Sequence, residues 1–262
     1  MCLVGIAWRV HPRYPLIILA NREEFHVRPT APAAWWPEAP GVLGGRDLVN
    51  GGSWFAVNRS GRVALVINHA TSRNPQQPSL SRGGLVREWL TEDHEPSAFL
   101  DTVQGREHRY AGFSLVIGDL AGLQGLVSPA GPAFHRWTVP AGITTLSNCA
   151  PETPWPKVGW LKASLAELTR ANALTEESLF ELLNHRDPVA RPDAAPSPWR
   201  TTPGLRPFVV NNRYGTRSST VLMIDDGNGA LFAERGFDPQ GLQISEFCTL
   251  FPVVPAVTLP GF

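Results

Sequence analysis

Apolar segments of strand length occur in groups that helices separate, and this order constrains the fold most strongly. Strand patterns fill much of residues 2–68 and 113–146 and return near the end of the chain. Helix patterns lie between them, at residues 81–100 and 157–185, and no segment alternates strand, helix and strand as a parallel sheet requires. The order predicts an α+β fold in which antiparallel sheets are covered by helices. Nothing in the composition marks a linker, so we expect a single domain over residues 1–262.

The N-terminal segment predicts a hairpin that ends in charged residues. Cys2–Val10 and Leu16–Ala20 are apolar and short enough to be buried strands, and the residues between them include two prolines. The tetrad Asn21-Arg22-Glu23-Glu24 follows directly at the strand end, where functional groups are often presented. Residues 29–53 contain five glycines and therefore predict a loop.

Residues 186–207 predict a long loop at the rim of a ligand site. They include six prolines and four arginines, and long loops in compact domains often serve as lids. The arginines, Arg200 among them, would suit the carboxylate or phosphate of an amphipathic ligand. The alternative is an ordinary solvated loop.

Charge and composition exclude several classes of partner. Lys and Arg total 23, Asp and Glu total 23, and the formal net charge is zero, whereas a nucleic-acid-binding protein needs a basic face. No apolar run approaches the roughly 20 residues that span a bilayer, so we expect no stable membrane insertion. Three cysteines without close spacing predict free thiols in the cytoplasm. The seven histidines show no metal-binding spacing.

Cys2 offers the most specific chemistry in the chain. Removal of Met1, which is expected before so small a residue, would expose the α-amine of Cys2. A free α-amine titrates near about pH 8 and a thiol near about pH 8.5, so one residue would carry both a nucleophile and its base. The alternative is a small apolar residue that merely follows the initiator methionine.

A set of short motifs, in order along the chain, resembles one family. The motifs are Met1-Cys2, Asn21-Arg22-Glu23-Glu24, Arg28-Pro29, Gly44-Gly45-Arg46-Asp47, Gly51-Gly52-Ser53-Trp54, Ser81-Arg82-Gly83, Ser147-Asn148, Thr153-Pro154-Trp155-Pro156-Lys157 and Tyr214-Gly215-Thr216-Arg217-Ser218-Ser219-Thr220. The sequence resembles the NRDE family, which is also called the transport and Golgi organisation 2 family, over nearly the whole chain. Glu23 stands where the family name has Asp, so its carboxylate is one methylene longer.

The NRDE family is similar in turn to the N-terminal nucleophile hydrolases of the choloylglycine hydrolase and penicillin V acylase type. This resemblance implies a four-layer αββα sandwich, a nucleophilic cysteine, Asn donors for an oxyanion and a late Arg near the thiol. The catalytic positions that it implies are Cys2, Asn21, Arg22, Glu24, Asn68, Asn148 and Arg217.

Structural roles for these residues stay open beside the catalytic ones. The hydrolases' Arg falls on Asn21, so Arg22 is either its substitute or the partner of Glu24 in a local ion pair. Asn68 and Asn148 could close turns at strand ends, and Arg217 could be a surface charge.

Two classes of function fit the resemblance, beside the plainest alternative of a globular interaction protein with a vestigial site. The first is an amidohydrolase that cleaves a small non-peptide C–N bond and requires no cofactor. The second is a carrier of a hydrophobic ligand, such as a lipid, an acyl-coenzyme A or haem as cargo, because a fold does not fix a function. The oligomeric state stays open. The candidate ligand-binding residues are His26, His69, Trp35, Trp36 and Arg200.

Overall fold

A computed structural model describes most of the chain. It covers residues 2–69, 80–128, 134–148, 155–189 and 206–254. Arg200 and most of the loop predicted at the rim of the site lie outside these residues.

The secondary structure is dominated by strands. The strands are Leu3–Trp8 (β1), Leu16–Phe25 (β2), Thr30–Trp36 (β3), Ala39–Asp47 (β4), Phe55–Asn58 (β5), Val63–Asn68 (β6), Phe113–Gly118 (β7), Leu123–Ser128 (β8), His135–Thr138 (β9), Gly142–Ser147 (β10), Tyr214–Ile224 (β11), Gly229–Phe237 (β12) and Gln243–Pro252 (β13). The α-helices are Gly83–Thr91 (α1), Pro96–Gly105 (α2), Pro156–Arg170 (α3) and Glu176–Leu183 (α4).

These strands form two antiparallel sheets within the described part of the chain. The six-stranded sheet has the order β10-β1-β2-β11-β12-β13, and the seven-stranded sheet runs from β3 to β9 in sequence order. In the first sheet β1 lies between β10 and β2, with Leu3 opposite both Ser147 and Asn21. The N-terminal strand is therefore paired on both edges, and Cys2 lies next to the last residue of β10 and to the charged segment of β2.

Three apolar clusters hold four layers together. Ile6 and Leu222 of the first sheet pack against Leu65 and Val116 of the second, which forms the core between the sheets. Helices α3 and α4 cover the outer face of the first sheet, and α1 and α2 cover the outer face of the second. Most strands are buried on both faces, which explains their nearly continuous apolar sequences. The predicted αββα sandwich is confirmed.

The prediction of a loop over residues 29–53 was wrong, because β3 and β4 occupy most of it. Its glycines serve strand packing rather than turns alone. A Cβ on Gly44 would lie 2.6 Å from the Cβ of Ala56 on β5, so only glycine permits this approach of the strands. The Nε1 atom of Trp36 donates to the Gly44 carbonyl at 2.9 Å, which ties β3 to β4.

Candidate active site at the start of the first strand

A cavity of about 560 Å³ opens where β1 begins and β2 ends. Cys2 lies on its wall, half-buried, directly before β1. The hydroxyl of Ser147 on β10 donates to the Cys2 carbonyl at 2.6 Å, which fixes the backbone of Cys2 from the side opposite β2. The six predicted site residues that line the cavity are Cys2, Arg22, Glu24, Asn68, His69 and Asn148.

Arg22 is a buried cation held in front of Cys2. Its guanidinium stacks on the Trp54 ring at 4.2 Å, and its Nη1 donates to the Thr30 hydroxyl at 3.2 Å. The Glu24 carboxylate is 4.0 Å from Nη2. Burial lowers the pKa of Arg22, while the negative charges of Glu24 and the Cys2 thiolate act in the opposite direction. Arg22 is therefore both the partner of Glu24 and a cation within electrostatic range of the Cys2 side chain.

Arg82 supplies a second cation to the cavity lining. It immediately precedes α1, and its Nη1 donates to the Gly112 carbonyl at 3.0 Å. Burial lowers the pKa of Arg82 as well, and the charges of Glu24 and Cys2 oppose that effect. The sequence contained this residue in the Ser81-Arg82-Gly83 motif, but no role was assigned to it.

Arg28 and Asp47 close the rim of the cavity. The Nε and Nη2 atoms of Arg28 lie 3.1 and 2.6 Å from the same carboxylate oxygen of Asp47. This pair joins the turn after β2 to the end of β4, which brings the two sheets together at the mouth.

Asn148 and Asn68 meet at the cavity wall. The Nδ2 atom of Asn148 donates to the backbone carbonyl of Asn68. Its Oδ1 atom is buried and has no hydrogen-bond partner among the described residues. An amide nitrogen carries two hydrogens, so one donor of Asn148 is used by the protein and a second remains.

His69 is a buried, neutral histidine. Its Nε2 atom lies 2.8 Å from the Ser114 hydroxyl. Burial, followed by the positive charge of Arg82, lowers its pKa from 6.5 to about 4. At neutral pH the ring is therefore uncharged and adds no further cation beside Arg82.

The tetrad divides between two faces of β2, because successive strand residues point to opposite sides. Asn21 faces away from the cavity. Its Nδ2 atom donates to the carbonyls of Leu183 and Pro207 at 2.7 and 2.9 Å, and its Oδ1 atom accepts from the Ser219 hydroxyl. Asn21 thus fastens α4 and the segment before β11 to the first sheet, and it does not contact the site predicted for it.

Glu23 points the same way as Asn21 and reaches α3. The Nζ atom of Lys157 lies 3.2 and 3.5 Å from its two carboxylate oxygens, and neither side chain is exposed. The hydroxyl of Tyr214 donates to the Glu23 carbonyl at 2.8 Å. The longer Glu carboxylate is thus used to span from β2 to the first turn of α3, a contact that the sequence alone did not reveal.

Arg217 holds the turn after β2 and is not part of the cavity wall. It occupies an irregularity in β11, where the register with β2 shifts. Its Nη1 atom lies 3.1 Å from the carbonyls of Phe25, His26 and Arg28. Arg217 therefore positions the turn that carries Arg28 to the rim.

Three other predicted ligand-binding residues also lie away from the cavity wall. The Nε2 atom of His26 is bonded to the Asn211 carbonyl at 2.9 Å. Trp36 is buried against the helices of the second sheet, and Trp35 packs edge-on against Phe251. Both tryptophans belong to β3, a strand in the segment that was predicted to be a loop.

Two solved structures share the fold at very low sequence identity. An orthologue of N-acylethanolamine-hydrolyzing acid amidase from Caenorhabditis elegans matches with a TM-score of 0.53 and 12% identity, over 84% of this chain and 92% of that one. A variant of conjugated bile acid hydrolase from Clostridium perfringens matches with a TM-score of 0.51 and 7% identity, over 98% and 99% of the two chains. These likenesses show that the chain has the fold of the N-terminal nucleophile hydrolases.

Sequence comparison reaches closer relatives. The homologues of Transport and Golgi organization protein 2 from Bos taurus and Homo sapiens are 31% and 30% identical, over 91% and 90% of this chain and 95% and 92% of their own lengths. The Drosophila melanogaster protein of that name is 25% identical over 92% of this chain and 95% of its own. The family model described as Transport and Golgi organisation 2 matches residues 1–239. The resemblance read from the motifs is confirmed, and the chain belongs to the Transport and Golgi organisation 2 family.

Proposed function

We propose that this protein is an N-terminal cysteine hydrolase that cleaves a non-peptide C–N bond in a small amide. The observation that carries the proposal is the placement of Cys2 on the wall of a cavity that is also lined by two arginines, the buried Arg22 and the half-buried Arg82. Both guanidinium groups interact electrostatically with Cys2, and cations placed there stabilise the negative charge that develops when an amide is attacked. A cavity of about 560 Å³ lies within the range of small-molecule sites, about 300–1,000 Å³. Free Cys2 and Cys248 suit the reducing cytoplasm, which we propose as its compartment.

The reaction has two steps. After removal of Met1, the α-amine of Cys2 takes the thiol proton, and Sγ attacks the amide carbon. The C–N bond then breaks, the proton passes to the leaving nitrogen, and an acyl thioester remains on Cys2. Water hydrolyses the thioester, which releases a carboxylic acid and restores the thiol and amine.

Asn148 is the proposed donor to the oxyanion that forms during the attack. Its bond to the Asn68 carbonyl fixes the orientation of the amide, and the remaining Nδ2 hydrogen is the donor. Loss of one such donor typically slows the reaction by about 10²–10³-fold. Glu24 balances the charge of Arg22, from which it is separated by 4.0 Å. It lines the same cavity as Cys2, and its role in this proposal is to orient the amine of the processed Cys2.

The test combines intact mass with acyl-enzyme trapping. Intact mass should show that Met1 is absent, and a brief incubation with a panel of N-acyl amides should add one acyl group. Cys2→Ala should abolish both the adduct and amine release. Cys248→Ala is the matched control, because Cys248 is an exposed free cysteine on β13, and it should leave both signals intact. Retention of Met1 would overturn the proposal, as would an adduct that survives Cys2→Ala.

A carrier of a hydrophobic ligand is the second candidate, and the position of Asn21 favours it. That residue is committed to α4 and to Ser219, so one position implied for catalysis is missing from the site. For haem as cargo, the neutral His69 offers an axial ligand, and Arg22 and Arg82 offer cations for the propionates. His26 is not among the residues that line the cavity, so it is not part of this arrangement.

Haem titration separates the two candidates. A carrier should give a Soret shift at tens of micromolar, which His69→Ala should remove. Cys2→Ala should change the affinity by less than about tenfold, or about 1.4 kcal/mol. Absence of a shift in the unmodified protein would end the haem version and leave a lipid or acyl-coenzyme A as cargo, to be tested by competition at the same cavity.

A further inference from the structure

We propose that the mouth of the cavity docks onto a lipid surface through two apolar turns. The turn after β2 and the turn after β4 present four large apolar side chains to solvent. Phe25 is 50% exposed, Val27 90%, Leu48 57% and Val49 53%. Phe25 also lines the cavity, as do Arg28, Asp47 and Asn50 of the same two turns. The apolar tips therefore flank the opening itself.

The exposure of these side chains is built into the fold. Arg217 binds three carbonyls of the first turn at 3.1 Å. The Leu48 amide donates to the Pro29 carbonyl at 3.1 Å, which joins the two turns. The Asp47 carboxylate binds Arg28 in the first turn and the Val49 amide in the second. Rigid turns that hold large apolar side chains in water indicate a contact surface, because exposing these side chains does not stabilise the fold of the protein by itself.

Charge beside the tips suits lipid headgroups. Arg213 lies next to Tyr214, which is paired with Phe25 across β11 and β2. Arg213 is exposed, and among the described residues it forms no ion pair. The ring of Tyr214 packs edge-on against Phe25 at 5.2 Å, and its hydroxyl is polar, an arrangement typical of a membrane interface. Apolar burial and attraction to anionic headgroups together set the strength of such peripheral binding.

A lipid surface explains this geometry better than a protein partner does. The tips surround an open cavity, so a protein bound flat across them would cover the opening. A lipid surface instead presents amphipathic molecules directly to the mouth. No helix in the described residues has the length and apolar character needed to cross a bilayer, so the contact that we infer is peripheral. It is needed equally by a hydrolase and by a carrier, and it does not depend on the chemistry of Cys2.

The test is flotation with vesicles, using the full chain at about 0.15 M salt. The protein should float with phosphatidylcholine vesicles, and more strongly with vesicles that also contain phosphatidylserine. The double change V27S/L48S should weaken partitioning at least tenfold on both. R213Q should remove only the additional binding to phosphatidylserine.

The matched control is L250S/V254S. These two aliphatic residues are 76% and 66% exposed. Leu250 pairs with Leu231 on β12, at the end of the first sheet that is farther from Phe25 and the cavity mouth. Vesicle binding of this control should equal that of the unmodified protein. The single change V27S, at a residue that is 90% exposed, tests the same surface with the least risk to folding.

Three results would overturn the inference. The protein could stay with the unbound fraction for both vesicle types. The V27S/L48S and V27S variants could float as well as the unmodified protein while circular dichroism shows them folded. The L250S/V254S control could lose binding equally, which would indicate general stickiness. Vesicle binding by a protein that retains Met1 would refute the proposed enzyme and leave this surface intact.

Discussion

Replacing Lys157 by Met should cost this protein a large part of its stability. Lys157 and Glu23 form an ion pair with no exposed surface, with Nζ at 3.2 Å from the nearer carboxylate oxygen. Methionine fills a similar volume, but it leaves the Glu23 carboxylate buried without its cation. Removing one partner of a buried pair typically costs about 3–5 kcal/mol. For a chain of this size, that free energy corresponds to a fall of roughly 6–20 °C in the melting temperature.

Urea unfolding of a double-mutant cycle measures the effect. The variants are Lys157→Met, Glu23→Gln and the two together, because a neutral amide beside a thioether buries no unpaired charge. We expect the double variant to be more stable than the sum of the single effects predicts, by at least about 2 kcal/mol. The control is Glu177→Gln, which breaks an ion pair of 2.6 Å with Arg235 whose acidic side chain is 63% exposed. Exposed pairs contribute about 0–1 kcal/mol.

The reasoning fails if Lys157→Met costs less than about 1 kcal/mol, or if the two single effects simply add. Either result would mean that the contact between β2 and α3 depends on packing rather than on charge. If Lys157→Met loses stability but the rate of acylation at Cys2 does not change, the ion pair between Lys157 and Glu23 has a structural role only. Both readouts can be taken from the same purified variants.

Two further predictions concern other buried groups of the sandwich. Glu234 is buried, and burial raises its pKa from 4.5 to about 7. Because the folded state then binds more protons than the unfolded state, this group's contribution to stability should fall between pH 4.5 and 7, by about 3 kcal/mol in total. Glu234→Gln should remove that fall in urea titrations across the range, and an unchanged pH profile would contradict the assignment. Separately, a Cβ on Gly45 would overlap the Trp54 ring that stacks on Arg22. Gly45→Ala should therefore cost about 1–3 kcal/mol, whereas Gly41→Ala on the same strand, where a Cβ meets nothing within 4 Å, should change stability by less than about 1 kcal/mol. Equal melting temperatures for the two variants would refute this.

The layer order could be predicted because it depends on local patterns. Strands such as β1 and β7 are buried along their whole length, so they appear in the sequence as short continuous apolar runs. The helix α3 was also evident, although its fully buried residues are Lys157, Leu161 and Leu165, one of which is charged. An apolar periodicity could not include a lysine, because the contact that buries it comes from a strand 134 residues away.

The strands β3 and β4 could not be predicted because no local apolar pattern marks them. The glycines of β4 carry no side chain to mark a buried face, and in a single sequence a glycine that permits close packing resembles one that makes a turn. The strand β3 has no glycine but contains Pro32, a residue that normally argues against a strand. The same ambiguity hid the role of Gly45, whose absent side chain leaves room for Trp54. Only the partner strand distinguishes the two uses, and the partner is a long-range property.

The tetrad shows how the site arises from a period of two. Once β2 is extended through Phe25, Arg22 and Glu24 must share one face, while Asn21 and Glu23 must share the other. The first face meets Cys2 and the cavity, and the second meets α3, α4 and their connections. One strand segment therefore supplies the charges of the site and, with alternate residues, fastens itself to the helices behind it. Because the two tasks use different faces, substitutions at Asn21 or Glu23 should act on Cys2 only through the position of the β2 backbone, whereas substitutions at Arg22 or Glu24 should act on its charge directly.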